Sequence, residues 1–95
     1  MEEKITESVG QGGKNKSADV RIVQSLLIKQ GCLAALSTDG KSNADGVYGN
    51  NTQNAILKFQ SEKMGLTNPD GRVDPGGQTM KALNGASGTP WVKLM

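Results

Sequence analysis

Apolar residues recur at helical spacing in three stretches of this chain. In the first, Val20, Val23, Leu26 and Leu27 fall on one face, with Ile22 and Ile28 flanking it. The spacing predicts a helix over about 18–30. Ser17 stands as its N-cap, and Asp19 lies in the first turn, where the helix dipole favours a carboxylate. Gly31 closes it as a C′ residue. In the second stretch Thr52, Ala55, Ile56, Phe59 and Lys63 mark one face, with Phe59 as the central core aromatic. That helix begins near Asn50 or Asn51 and ends at Gly65, and Asn50 with Gln53 has the form of a capping box. The third helix, about 75–84, carries Thr79, Met80, Ala82 and Leu83. Asp74 reads as its N-cap, Pro75 as its first residue and Gly85 as its end.

The segments between are polar or rich in turn formers. Residues 1–8 are charged and expected to fray. Residues 9–17 read as a loop rich in Gly, Asn and Lys. Residues 32–36 are a short apolar stretch, a half-turn or a brief strand plugging one end of the core. Residues 37–49 form a turn-rich loop of unusual length for a compact domain, which points to function. Residues 67–71 are a turn, and Arg72-Val73 is extended. Residues 86–90 read as a linker. The apolar pattern that resumes at Trp91 reads as the start of a following domain in a longer protein.

One motif occurs twice. Gly49, Thr52, Ala55 and Ile56 read G-x-x-T-x-x-A-I, and Gly76, Thr79, Ala82 and Leu83 read G-x-x-T-x-x-A-L. Each copy follows an Asp-Gly turn, at Asp45-Gly46 and Asp70-Gly71. Thr, Ala and Ile or Leu at these spacings share one helix face, so each copy offers the same small-residue stripe to a common core. The expected fold is all-α: a small module of three helices in two related halves, with an internal pseudo-repeat and long turn-rich loops. Such a module presents a surface.

Composition narrows the function. The 95 residues make one domain with a modest core. A formal charge of +2, scattered lysines and only three aromatics, Tyr48, Phe59 and Trp91, argue against nucleic acid. No run of about 18 apolar residues is present to span a membrane. There is no His and a single Cys. Hydrolases that use an imidazole base and most catalytic zinc sites are thereby disfavoured. A carboxylate pair for glycoside hydrolysis is not excluded by counting, but so short a chain has little room for both a core and a deep cleft. The lone Cys32 makes no internal disulfide and leaves the compartment open. Met1-Glu2-Glu3-Lys4 does not open a secretory signal. Work outside the cytoplasm would then require another delivery route or another part of a longer chain.

The ordered elements Val20-x-x-Val23-Gln24-x-x-Leu27, Asp45-Gly46-Val47-Tyr48-Gly49-x-x-Thr52-x-x-Ala55-Ile56-x-x-Phe59-Gln60, Gly65-Leu66, Asp70-Gly71-Arg72-Val73-Asp74 and Thr79-x-x-x-Leu83 form a pattern. It resembles the small three-helix peptidoglycan-binding module of bacterial and phage cell-wall hydrolases, over roughly residues 9–85. Residues 70–77, with Val9-Gly10-Gln11-Gly12-Gly13, resemble a subgroup attached to secreted or phage-type lytic effectors. The resemblance implies a closed three-helix bundle, no catalysis and no cofactor. It also implies binding to cell-wall glycan or stem peptide, in the periplasm or cell wall. The partners expected are peptidoglycan and a covalently linked catalytic domain, with the module itself a monomer. One departure is the long loop between Gly31 and Asp45. The alternative is a regulatory prodomain or protein-interaction module. Metalloprotease prodomains resemble this fold and plug a metal with a Cys, but Cys32 lacks the Pro- and Arg-flanked context of that role.

Candidate ligand residues are Asp45, Tyr48, Gly49, Asn50, Asn51, Asp70 and Arg72, on the 45–51 and 70–74 loops. Helix N-termini there offer N–H groups to carboxylates. The Tyr48 ring suits packing on a sugar or a peptide backbone, or capping the core between helices. Arg72 suits a peptide carboxylate, or solvent. The two Asp-Gly pairs are first of all turns. Gln24 and Gln60 read as buried amides that bond loop backbone, and Thr52 and Thr79 as side chains that bond backbone near the helix starts. Cys32 reads as a small buried hydrophobe. A calcium loop with Gly46 at its sixth position fails, because Lys41 and Thr52 would fall where carboxylates are needed. Gly40-Lys41-Ser42 fails as a phosphate loop, because Ala35 stands where its first Gly is required.

Overall fold

A computed structural model describes residues 3–85. The chain runs through β1 (Val9–Gly10), α1 (Ser17–Lys29), α2 (Asn50–Lys58), a π-helical turn (Phe59–Lys63), β2 (Arg72–Val73) and α3 (Gln78–Asn84). The expected linker and following domain fall in residues 86–95, outside the described residues.

Helix α1 presents Val20, Val23, Leu26 and Leu27 to the interior, as its periodicity requires. It begins one residue earlier than expected, with Lys16 rather than Ser17 at the N-cap. Its end is a Schellman arrangement: the Gly31 N–H reaches the Ile28 carbonyl at 3.0 Å, and the Cys32 N–H reaches Leu27 at 2.9 Å. Helix α2 contributes Ala55 and Ile56, and passes into the π turn at Phe59, which is fully buried. Helix α3 adds Met80, Ala82 and Leu83. It starts three residues later than the Asp74-Pro75 pair predicts. Gly76 has φ +71°, outside the right-handed helix, so residues 74–77 make a turn closed by the Gly77 N–H on the Asp74 carbonyl at 3.0 Å.

The all-α expectation is corrected in one place. Residues 9 and 10, expected in a loop, pair antiparallel with β2, Val9 opposite Val73 and Gly10 opposite Arg72. Both valines are fully buried, so this small sheet closes one side of the core. The fold is otherwise mostly helical, with three helices around one cluster of aliphatic side chains and Phe59.

Residues 3–8 are docked rather than frayed. Ile5 is buried in the core. The buried Asp19 carboxylate accepts the Thr6 N–H at 2.9 Å, the Thr6 hydroxyl at 2.7 Å and the Glu7 N–H at 3.1 Å. Asn84 bonds both the N–H and the carbonyl of Glu3, at 2.7 and 2.8 Å. A helix-dipole role was expected of Asp19, but its partners lie thirteen and twelve residues upstream.

Asp19 also makes a pH prediction. Burial pushes its pKa up. The bonds from Thr6 and Glu7, with the Lys16 charge, outweigh burial and hold it below the usual carboxylate value. A lowered folded-state pKa stabilises the fold above the unfolded value near 3.8, and the contribution is lost as pH falls through the lower folded value. Unfolding curves should therefore weaken in acid. Asp19→Asn should show a smaller acid-induced change than wild type in the same titration.

Candidate functional site

The two Asp-Gly loops are each held by a buried glutamine. The Gln24 amide nitrogen donates to Thr52 Oγ1 at 2.9 Å, to the Val47 carbonyl at 3.1 Å and to Asp45 Oδ1 at 3.1 Å. Its oxygen accepts the Gly46 N–H at 2.8 Å. The Gln60 nitrogen donates to Thr79 Oγ1 at 3.1 Å, to the Arg72 carbonyl at 3.2 Å and to Asp70 Oδ1 at 2.9 Å. Its oxygen accepts the Gly71 N–H at 2.9 Å. The two sets correspond partner by partner. Each ties the helix carrying Gln to a loop and to the helix that follows it.

The loops add their own bonds. Asp45 Oδ1 accepts the Val47 N–H at 2.9 Å, and Asp70 Oδ1 accepts the Arg72 N–H at 3.0 Å. Gly46 and Gly71 take φ of +77° and +69°, as these turns require. A Cβ at Gly46 would strike Ser17, and one at Gly71 would strike Gln53. The Val47 N–H and then the Gln24 amide lower the Asp45 pKa. The Gln60 amide and then the Arg72 N–H lower that of Asp70. Both carboxylates are thus fixed as anions facing solvent. The glutamine role expected from the sequence is what the geometry has. Thr52 and Thr79 differ from expectation: their hydroxyls accept from the glutamine amides.

Asp45, Gly49, Asn50 and Asn51 line one groove of about 250 Å³, whose floor is Gln24 and Thr52. Asp70 and Arg72 line a second of about 260 Å³, floored by Gln60 and Thr79. Tyr48 lines neither. Its ring is half-buried against the core, and burial pushes its hydroxyl pKa up. The Tyr48 hydroxyl donates to the Gln53 side-chain oxygen. That bond replaces the expected capping box, for Gly49 is the N-cap of α2 and no side chain caps it. No side chain caps the first N–H groups of α2, and Asn50, Asn51 and Thr52, which carry them, line the groove. Arg72 is not free. Its Nε lies 2.9 Å from Asp74 Oδ1 in a half-exposed ion pair, and Asp74 also accepts the Ser8 hydroxyl at 2.6 Å. Such a pair contributes about 0–1 kcal/mol, so a ligand carboxylate could replace Asp74 at little cost.

A third and larger groove, about 520 Å³, runs between α2 and residues 32–43. Its polar wall is Asn51, Asn54 and Lys58. The spacing i, i+3, i+7 was readable as a solvent-facing stripe of α2, yet the candidate residues stopped at Asn51. The facing loop is ordered by an antiparallel bridge between Leu36 and Ser42.

Among the described residues, no three His, Cys, Asp or Glu side chains gather as a metal site would require. No described helix is long and apolar enough to cross a membrane. Buried amide clamps, open grooves at loop ends and a small helical core define a binding module. A family model described as "Putative peptidoglycan binding domain" matches residues 16–83, and the chain belongs to that family of peptidoglycan-binding domains. No significant match is found among curated proteins or among solved structures.

Proposed function

We propose that this module binds peptidoglycan without cleaving it, and holds a covalently linked wall hydrolase or lytic effector near its substrate. The family membership of residues 16–83 carries the reading. Tethering raises local concentration and adds no chemistry. Weak affinity per site suffices, since a shallow surface makes few contacts. The module acts as a monomer in the periplasm or cell wall. We read its architecture as two related halves closed into a three-helix bundle. The matched Gln24 and Gln60 bonding sets support this reading.

The ligand surface comprises Asp45, Gly49, Asn50 and Asn51 in one groove and Asp70 and Arg72 in the other, with Tyr48 supporting the first. A stem peptide carries carboxylates and an amine. The open N–H groups at the start of α2 suit the carboxylates. The exposed Asp45 carboxylate suits the amine. Cys32 gives no support to a prodomain role, because its thiol is buried and burial pushes its pKa up.

Sedimentation with purified insoluble peptidoglycan tests the proposal. The chain should pellet with the wall and release no soluble muropeptides. Release of muropeptides, with or without added metal, would sink the non-catalytic reading. Arg72→Ala should weaken retention with little change in melting temperature. Tyr48 requires Tyr48→Phe, which keeps the packed ring and removes only the hydroxyl.

A further inference from the structure

We infer that the large groove between α2 and residues 32–43 is a subsite for a strand of β-linked N-acetylated aminosugars. This rests on the peptidoglycan reading and adds which part of the polymer lies there. The volume of about 520 Å³ falls in the range of ligand sites, roughly 300–1,000 Å³. Cys32, Leu33 and Ala55 make an apolar floor. Asn51, Asn54 and Lys58 share one face of α2 and are exposed. Among the described residues, no hydrogen bond or ion pair engages their side chains. Across the groove stands Leu36, 59% exposed.

That leucine is exposed on an ordered loop. The Ser37 N–H bonds the Lys41 carbonyl at 2.8 Å, and the Asn43 N–H bonds Ala35 at 2.9 Å. The Asn43 amide also donates to the Ala34 carbonyl at 2.8 Å. An apolar side chain is thus fixed opposite a row of unpaired amides.

An N-acetylated aminosugar presents three surfaces: hydroxyls, an acetamido group with donor, acceptor and methyl, and the apolar face of its ring. The groove offers a counterpart to each. Asn51, Asn54 and Lys58 meet hydroxyls and the acetamido dipole, and Leu33 and Leu36 meet the methyl and the ring face. Charge selects further. Among the described residues, Lys58 is the one charged residue of the lining, and no carboxylate joins it. A neutral strand is accepted and a cationic one disfavoured, whereas the neighbouring groove contains Asp45. The two grooves share Asn43 and Asn51. A branched polymer could therefore lay its sugar strand in one and its peptide in the other.

Amide chemical-shift titration of the whole chain tests this with three probes: the N-acetylglucosamine trimer, a sugar-free stem peptide, and maltotriose. The trimer should shift Leu33, Leu36, Asn54 and Lys58, and the peptide should shift residues 45–52. Leu36→Ser and Asn54→Ala change exposed side chains, and unchanged melting temperatures would verify their folding. Each should weaken trimer binding about 3- to 10-fold, the loss of one apolar contact or one hydrogen bond, and leave peptide binding as it was. Absence of trimer shifts in this groove overturns the inference, and if the peptide still binds, the peptidoglycan reading stands. Equal shifts from maltotriose, which lacks acetamido groups, also overturn it. If insoluble peptidoglycan itself is not bound, the peptidoglycan reading falls and takes this subsite with it.

Discussion

Phe59→Ala is expected to cost about 3–5 kcal/mol of stability. Among the described residues, Phe59 is the one fully buried aromatic, and it sits where α2 gives way to the π turn. Removing its ring takes away a large apolar surface and leaves a void. Val20, Val23 and Leu27 from α1 and Leu83 from α3 are fully buried in the same core, and none has a longer side chain to offer as a replacement. A domain of this size sits in the lower part of the usual range of about 5–15 kcal/mol, so the variant should be largely unfolded near body temperature. Urea denaturation with a fitted midpoint measures it. A loss below about 1 kcal/mol would show that the ring does not bear on the core as described. Phe59→Leu keeps most of the volume and should lose less than half as much.

The parts of the fold legible in the sequence were those with local causes. The apolar face of α1, the Gly31 stop and the burial of Phe59 follow from spacing and end signals a few residues apart. What the sequence did not disclose depended on distant partners. Nothing near Val9 says that it pairs with Val73, because a two-residue strand has no period to detect. Ile5 sits in a charged stretch, and its docking needs Asp19, which lies thirteen positions after the Thr6 it bonds. Asp74-Pro75 is a sound helix-start signal, overridden by the Gly76 that follows. The candidate site was legible in part for the same reason. The Asp-Gly turns and the glutamines beside the core face are local patterns. The Arg72–Asp74 ion pair, the Tyr48 contact with Gln53 and the Asn51–Asn54–Lys58 wall emerge only when side chains are placed against one another.

Gln60→Leu should cost about 2–4 kcal/mol, and Gln24→Leu a similar amount. Leucine fills much the same space, so the loss is polar rather than a void. Without the amide, the Gly71 N–H, the Arg72 carbonyl and the Thr79 hydroxyl lose a buried partner together. Each orphaned group costs about 1–3 kcal/mol when it stays dry. Asp70 faces solvent and recovers water, which holds the total below the simple sum. The Gln24 and Gln60 sets share no residue, so the two costs should add when measured in a stabilising osmolyte. A charged replacement gives a sharper test. Gln60→Glu keeps an acceptor for the Gly71 N–H but removes the donor and sets a second carboxylate against Asp70. Burial and that like charge raise the new group's folded-state pKa above its unfolded value. Its stability relative to wild type is therefore best below the unfolded value near 4.3 and falls as pH rises through the folded one. Gln60→Leu should differ from wild type in slope only at and below about pH 3.8, where Asp70 has lost the amide that lowers its pKa. A pH-independent Gln60→Glu, or a Gln60→Leu within about 0.5 kcal/mol of wild type, would mean that the glutamine does not clamp the loop.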